Sequence, residues 1–163
     1  MTSKSYKELL RELAIPTVSL GYTAVHIYHV GELGDAQIGY SVDPSATSLT
    51  DGNPGGWQRS CVVIGYEDGS GDPIFIDSEA DNFPVYSAMH GTGAWDPILL
   101  ASGLQNFAMA MREIARLADR RENPVRLEEN PIEPGERTNL INRIQQENGG
   151  IDMSFWENWL ASE

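Results

Sequence analysis

Cysteine is nearly absent from this sequence: Cys61 is the only one among 163 residues. A single thiol excludes an internal disulfide and any zinc site built on cysteines. Since Cys61 opens an apolar run, it is predicted to act as a small hydrophobic residue rather than as a nucleophile. The sequence also lacks the roughly eighteen consecutive apolar residues of a membrane span, and its first residues lack the layout of a secretory signal. We therefore expect a cytoplasmic protein without a membrane segment.

Basic residues are almost missing from the middle of the chain. The formal net charge is −13, and residues 12–111 hold twelve acids against one base, Arg59. A field of one sign repels phosphate backbones and attracts cationic surfaces, so direct nucleic-acid binding is disfavoured and a basic partner is favoured. A plainer alternative, that the acids only keep a small protein soluble, stays open at this point.

Motifs that mark common catalytic and nucleotide-binding sites are missing too. There is no Gly-x-Ser-x-Gly elbow, residues 91–93 lack the third glycine of a dinucleotide fingerprint, and no Gly-Lys-Ser/Thr closes a phosphate loop. His26 and His29 are predicted to point to opposite faces of a strand, and His90 lies in a glycine-rich turn, so shared metal ligation is disfavoured. We expect no enzymatic activity, no metal and no cofactor.

The most informative segment that is present runs from Cys61 to Tyr86. Two apolar runs, residues 62–64 and 74–76, flank a turn rich in Gly, Asp and Pro, which predicts a hairpin of two buried strands. Acids without an intervening base gather at its turn and its exit. They are Glu67, Asp68, Asp72, Asp77, Glu79 and Asp81.

Part of this turn has the spacing of a calcium-binding loop. Asp68, Asp72 and Glu79 stand at the first, fifth and twelfth positions. The sixth position needs a glycine for a sharp turn, but Pro73 stands there and its ring fixes φ at a negative value. A hairpin turn with solvated acids is therefore favoured over a calcium site.

Helices and strands are also predicted before the hairpin and after it. A capping box at Ser5 and Glu8 begins a first helix, and a second box at residues 102–105 begins a long helix that ends near Arg121. Further strands are predicted at residues 23–30, 36–42, 83–89 and 98–101. Because turns rather than helices link these strands, we expect an α+β fold with a mostly antiparallel sheet.

We expect one domain over residues 1–163, with two distinct segments at its C-terminal end. Residues 122–138 contain three prolines and predict an extended arm, and residues 139–163 predict a helical extension. The extension carries aromatic side chains, which are expected to dock on the core of the same chain rather than on a partner. They are Phe155, Trp156 and Trp159.

Four short runs in and after the hairpin have the order and spacing of a known signature. They are Ile64-Gly65-Tyr66, residues 71–77, Pro84-Val85-Tyr86, and the segment from Leu100-Ala101-Ser102 to Phe107. Together they resemble the central signature of the SUKH superfamily, the SMI1/KNR4-like and Syd-like proteins. The resemblance covers residues 61–111. The family's usual N-terminal stretch, a Leu-Pro followed by a helix that ends in Asn-Gly, has no counterpart here.

This resemblance implies an α+β fold whose central antiparallel sheet packs against helices. It also implies a non-catalytic function, since bacterial members commonly act as immunity proteins that bind and neutralise polymorphic toxins. We expect such a role against a cognate toxin domain, for example a nuclease with a basic cleft; the alternative is a regulatory adaptor or scaffold without a toxin. The expected partner-binding residues are the six acids of the hairpin, Glu67, Asp68, Asp72, Asp77, Glu79 and Asp81, with Trp57 and Tyr66 as aromatic anchors. For Asp77 the alternative is that its carboxylate is hydrogen-bonded inside the fold.

Overall fold

The computed structural model describes residues 4–161 and shows an α+β fold, which confirms the expected fold class. Six antiparallel strands form one sheet and follow one another across it in chain order. They are β1 Val18–Ser19, β2 Ala24–Ile27, β3 Cys61–Glu67, β4 Pro73–Asp77, β5 Val85–Ser87 and β6 Ile98–Ala101. Residues 1–3 and 162–163 of the expected domain lie outside the described part of the chain.

Within residues 4–161, six α-helices and one 3-10 turn complete the fold. They are α1 Tyr6–Leu13, the 3-10 turn Val30–Glu32, α2 Leu33–Ala36, α3 Leu104–Leu117, α4 Pro124–Glu129, α5 Pro134–Glu147 and α6 Ser154–Ala161. The predicted capping box of α1 is confirmed, because the Ser5 side chain accepts from Glu8 N–H and the Glu8 carboxylate accepts from Ser5 N–H. The box predicted for α3 is wrong: Gly103 stands at the N-cap, and no side chain caps this helix.

The strand predicted at residues 36–42 is also wrong. Helix α2 ends at Ala36, and the chain beyond it makes only isolated bridges. A side chain, rather than a backbone strand, reaches the sheet from this segment. The Gln37 amide group donates to Val63 O and accepts from Val63 N–H, each at 2.9 Å. Because an amide side chain offers the same donor and acceptor as a peptide unit, Gln37 replaces the missing strand at this point.

The extended arm expected at residues 122–138 is instead largely helical. Pro124 and Pro134 each stand in the first turn of a helix, α4 and α5. A proline costs little there, because the first N–H groups of a helix have no partner within it and the fixed φ suits the helix. The buried Arg121 guanidinium donates to the Asn130 and Pro131 carbonyls, which ties the segment to the end of α3.

The principal hydrophobic core lies between the sheet and the helices. Strand side chains such as Ile64, Ile74 and Ile76 are fully buried against residues of α3 and α6. Helix α6 docks on this core as predicted: Trp156 is fully buried, and its Nε1 donates to Leu100 O on the edge strand β6 at 2.9 Å. The last helix thus caps part of the open edge of the sheet.

Strands β2 and β3 approach unusually closely at Gly65. A Cβ atom placed on this glycine would lie 2.2 Å from His26 O, which is far inside contact distance. The pairing of β3 with β4 also shifts register between Val63 and Gly65. Such a shift is typical of a β-bulge, which bends and twists the strand. Only glycine fits where β2 and β3 lie this close together. The bulge next to it bends the hairpin.

Candidate protein-binding surface

The β3–β4 turn is shaped by a carboxylate at the end of β3. Glu67 accepts hydrogen bonds from the N–H groups of Gly69 and Ser70 and from the Ser70 hydroxyl. Gly71 has φ +79°, and its N–H donates to Glu67 O at 2.9 Å. Glu67 therefore serves first to close the turn, and only part of its hydrogen-bonding capacity is left for another molecule.

Two histidines approach this turn, and each contacts a different acid. His26 Nε2 lies 3.2 Å from Asp68 Oδ2, while the other Asp68 oxygen accepts from Ala24 N–H at 2.6 Å. On the other side, His90 Nδ1 lies 2.7 Å from Asp72 Oδ1. His29 stands apart, at the start of the 3-10 turn, because β2 ends at Ile27.

Asp72 is the most constrained of the turn acids, which we define as Glu67, Asp68 and Asp72. Its side chain is only 18% exposed. Burial alone would raise the pKa of its carboxyl, but hydrogen bonds from His90 N–H, from the His90 ring and from the Ser70 hydroxyl outweigh burial and lower that pKa. Asp72 therefore stays ionised and holds the turn against residue 90.

The remaining three acids, which we call the exit acids, lie at the opposite end of β4. Asp77 ends the strand and accepts from Glu79 N–H at 3.0 Å. Glu79 and Asp81 are exposed and line a groove of about 720 Å³ beside the start of α3. Four strand residues, 73–76, separate Asp72 from Asp77, which places the two groups roughly 16 Å apart along the strand. The six acids therefore form two groups and not one continuous patch.

Aromatic side chains cover the face of the sheet that is turned away from the core helices. We call this the aromatic face. It consists of Tyr28, Tyr40, Trp57, Tyr66, Phe75, Tyr86 and Trp95. Strand alternation explains its position: in β4 the isoleucines Ile74 and Ile76 face the helices, so Phe75 between them faces the other way.

The two anchors predicted from the sequence both lie on this face, at different depths. Trp57 is 5% exposed, with its ring centroid 4.7 Å from that of Phe75 and 5.0 Å from that of Tyr40. It therefore supports the surface from below. Tyr66 is half-buried and stacks on His26, with a centroid distance of 4.7 Å and an interplanar angle of 13°. Its ring offers contact area to a partner.

The tyrosines of the aromatic face lie close to one another and to carboxylates. Burial raises the pKa of Tyr28, and the neighbouring Tyr66, Tyr40 and Glu32 raise it further. Burial raises the pKa of Tyr40 as well, with Asp72 adding to the effect. The Tyr28 and Tyr40 hydroxyls therefore stay protonated at neutral pH and remain available as hydrogen-bond donors.

The sequence alone did not reveal Tyr28, Tyr40, Tyr86 or Trp95 as part of this surface. One signal was available: the hairpin strands are apolar at successive positions, which is typical of a sheet covered on both faces. That signal would have placed Tyr86 on the face of the sheet opposite to that of its neighbour Val85. Tyr40 and Trp95 lie on loops, which the pattern of a strand does not place.

The structure also bears on the calcium-like segment, on metal binding and on the Cys61 thiol. The segment with calcium-like spacing folds as a hairpin turn, and Pro73 begins β4. Within residues 4–161, no three His, Cys, Asp or Glu side chains are grouped so that they could hold a metal ion. Cys61 is half-buried, and burial followed by the charge of Asp77 raises the pKa of its thiol. In the same residues, no helix has both the length and the apolar character needed to cross a bilayer.

Comparison with family models, with curated proteins and with solved structures gives no match for this chain.

Proposed function

We propose that this chain is a non-catalytic immunity protein of the SUKH type, which acts in the cytoplasm by binding a cognate toxin domain. The observation that carries the proposal is the uncompensated charge of residues 12–111, twelve acids against Arg59. A toxin that acts on nucleic acid has a basic cleft for phosphate. An acidic protein can occupy such a cleft and accelerates the encounter through its field.

The ion pairs support this reading, because they leave the hairpin acids without a strong base. In residues 4–161, every ion pair made by a lysine or arginine uses Glu12, Glu113 or Glu129. Of the turn acids, Asp68 and Asp72 pair with histidines, and Glu67 pairs with no base of the described residues. The negative charge of the hairpin is therefore not balanced by a lysine or arginine of residues 4–161, and its field acts on a partner.

The first test is whether a toxin partner exists. The protein encoded by the adjacent gene would be co-expressed with this chain, and both bacterial growth and co-purification would be measured. Rescue of growth together with a stable complex supports immunity. A complex with a non-toxic protein instead supports the adaptor alternative, and the absence of any complex contradicts both.

The second test separates surface charge from folding. Because the turn acids hold the turn, the charge reversal is placed at the exposed exit acids, Glu79→Lys with Asp81→Lys. A matched pair, Glu129→Lys with Glu133→Lys, makes the same change in net charge on residues 112–163, where seven bases offset much of the charge of eleven acids. If an acidic hairpin steers the partner, the first pair slows association about tenfold at low salt and the second much less. Equal effects of the two pairs would contradict the proposal.

A further inference from the structure

We propose that the aromatic face is the docking surface for the partner, and that it receives arginine side chains of a basic protein. This inference rests on the proposed function and adds to it the chemistry of the contact. It depends on three features of the surface: a rigid aromatic floor, tyrosine hydroxyls free of intramolecular bonds, and carboxylates around the rim.

The floor of the aromatic face is rigid because its rings pack against one another. Phe75 is 1% exposed and Trp57 is 5% exposed. The Trp57 ring contacts the Trp95 ring edge-on, with centroids 5.1 Å apart. The two covering loops are also joined, since Trp95 N–H donates to Gly55 O at 2.7 Å. A surface ordered in advance loses little conformational entropy when a partner binds.

The tyrosines above this floor have hydroxyls without a hydrogen-bond partner in the described part of the chain. Within residues 4–161 the one tyrosine hydroxyl that bonds another side chain is that of Tyr22, which lies elsewhere and donates to Glu128 at 3.4 Å. The hydroxyls of Tyr28, Tyr40 and Tyr66 make no such bond and are not fully buried. Half-buried rings with open hydroxyls are typical of surfaces that bind proteins.

Four carboxylates surround this tyrosine layer. The Glu32 carboxylate accepts from His29 N–H, next to Tyr28, at 2.7 Å. Asp77 pairs in register with Cys61, which packs against this face, and Asp72 precedes Pro73, the partner of Tyr66 in the sheet. Each of these carboxylates raises the pKa of a tyrosine on the face. Asp68 is 41% exposed and contacts His26, whose ring stacks on Tyr66. No lysine or arginine of residues 4–161 forms an ion pair with any of the four.

This combination selects one kind of occupant. A purely apolar partner would remove carboxylates from water without pairing them, which is costly. A phosphate group would meet like charge. A guanidinium group satisfies both parts of the surface, since its flat face stacks on tyrosine while its edge donates to a carboxylate. Lysine carries the same charge but has no planar group to stack.

The test uses peptides of matched charge, acetyl-hexaarginine amide and acetyl-hexalysine amide, titrated into the whole chain and followed by NMR of the aromatic side chains. We expect saturable shifts centred on Tyr28, Tyr40 and Tyr66, and binding of the arginine peptide at least about threefold tighter than that of the lysine peptide. Equal affinities, or shifts centred on Glu79 and Asp81, would overturn the inference.

Variants of Tyr66 test the stacking directly. Tyr66→Leu is expected to weaken the arginine peptide about threefold, and Tyr66→Phe to retain most of the affinity because the ring remains. Tyr22→Leu, which removes a tyrosine that is 47% exposed elsewhere on the molecule, is the control and is expected to change nothing. A Tyr66→Phe variant that binds as weakly as Tyr66→Leu would contradict stacking.

The same variants separate this inference from the proposed function. If the protein encoded by the adjacent gene binds Tyr66→Leu and Tyr40→Leu as tightly as it binds the wild type, the docking surface is refuted and immunity stands. If that protein binds no form of the chain while the arginine peptide still maps to the aromatic face, immunity is refuted and the surface stands.

Discussion

Because Gly65 has no side chain, strand β3 can lie unusually close to strand β2. In the sequence this glycine interrupts the apolar residues of the run Ile64-Gly65-Tyr66, and the run does not explain it. The structure does, since His26 O occupies the space that a Cβ atom would need. The neighbouring Tyr66 is thereby held opposite His26, where the two rings stack. A requirement of the backbone thus positions a residue of the candidate binding surface.

Replacement of this glycine tests that requirement. Gly65→Ala is expected to lower the free energy of unfolding by more than about 2 kcal/mol, because a strand must move to admit the methyl group. Gly34→Ala is the matched control, since a Cβ there has no atom within 4 Å and the position is helical. It is expected to be neutral or slightly stabilising. Urea denaturation of both variants measures the difference, and equal stabilities would contradict the close approach.

A second prediction at the residue scale concerns Asp72 and the dependence of stability on pH. Its pKa is lower in the folded protein than its ordinary value of 3.8, so the ionised carboxylate stabilises the fold above that value. The contribution is lost as pH falls through the folded pKa. Asp72→Asn is therefore expected to cost about 1 kcal/mol at pH 7 and progressively less below pH 3.8.

Stability measured by denaturation at several pH values checks this. Glu79→Gln, at an exposed acid, is the control and should remain close to the wild type at every pH. A gap between Asp72→Asn and the wild type that stays constant down to pH 2 would show that the carboxylate charge is not what stabilises the turn.

At the scale of elements, the Gln37 side chain joins the segment between β2 and β3 to the backbone of the sheet. Gln37 pairs with both backbone groups of Val63 and also donates to Leu33 O at 2.8 Å. The loop that follows carries Tyr40 and Trp57 onto the aromatic face. The position of that loop over the sheet therefore depends on Gln37.

Removal of the Gln37 amide tests this anchor. Gln37→Met keeps the length of the side chain but leaves the Val63 groups without partners, so a loss of about 1–3 kcal/mol is expected. Hydrogen exchange at the Val63 amide should accelerate in parallel. Gln146→Met, on an exposed turn of α5, is the control. Unchanged exchange at Val63 would show that the anchor is dispensable.

Elements with a strong local pattern were the ones that the sequence predicted. The hairpin, α1, α3 and α6 have clear periodicity or caps, and the structure contains all four. The prediction of a strand at residues 36–42 was wrong because its apolar residues are compatible with a strand and with a loop. The structure there is set by the contact of Gln37 with Val63, which is distant in the sequence. Residues 122–138 were misjudged because three prolines were interpreted as breakers, whereas Pro124 and Pro134 begin helices.

The candidate site was predictable mainly where it coincides with a strand or lies next to one. Tyr66 follows from the hairpin, and Trp57, on the loop before β3, was predicted as an aromatic anchor. The division of the acids into two groups depends on which backbone amides and histidines each one contacts. Those contacts join residues far apart in the chain, such as Asp72 and His90, and no local pattern contains them.

At the scale of the whole molecule, the unbalanced charge has a cost as well as a use. With a net charge of −13, the acidic side chains repel one another in the folded state. Added salt screens this repulsion, because the Debye length falls from about 10 Å at 0.1 M to about 3 Å at 1 M. We expect the melting temperature to rise by a few degrees between 0.02 and 0.5 M NaCl.

A charge-reduced variant provides the comparison. Glu79→Gln with Asp81→Asn removes two exposed acids, so its melting temperature should depend less on salt than that of the wild type. The two curves, measured by circular dichroism, are expected to converge at high salt. A melting temperature that falls with salt in the wild type would mean that attractive ion pairs outweigh the repulsion.

The contact between Trp156 and Leu100 also has a consequence for synthesis. All six strands precede α6 in the chain, so the ribosome releases β6 well before the residue that caps its edge. During that interval the edge strand offers free backbone groups to any other nascent chain. The production of this protein is therefore most exposed to aggregation before α6 emerges, and slower translation between β6 and α6 would lengthen that interval.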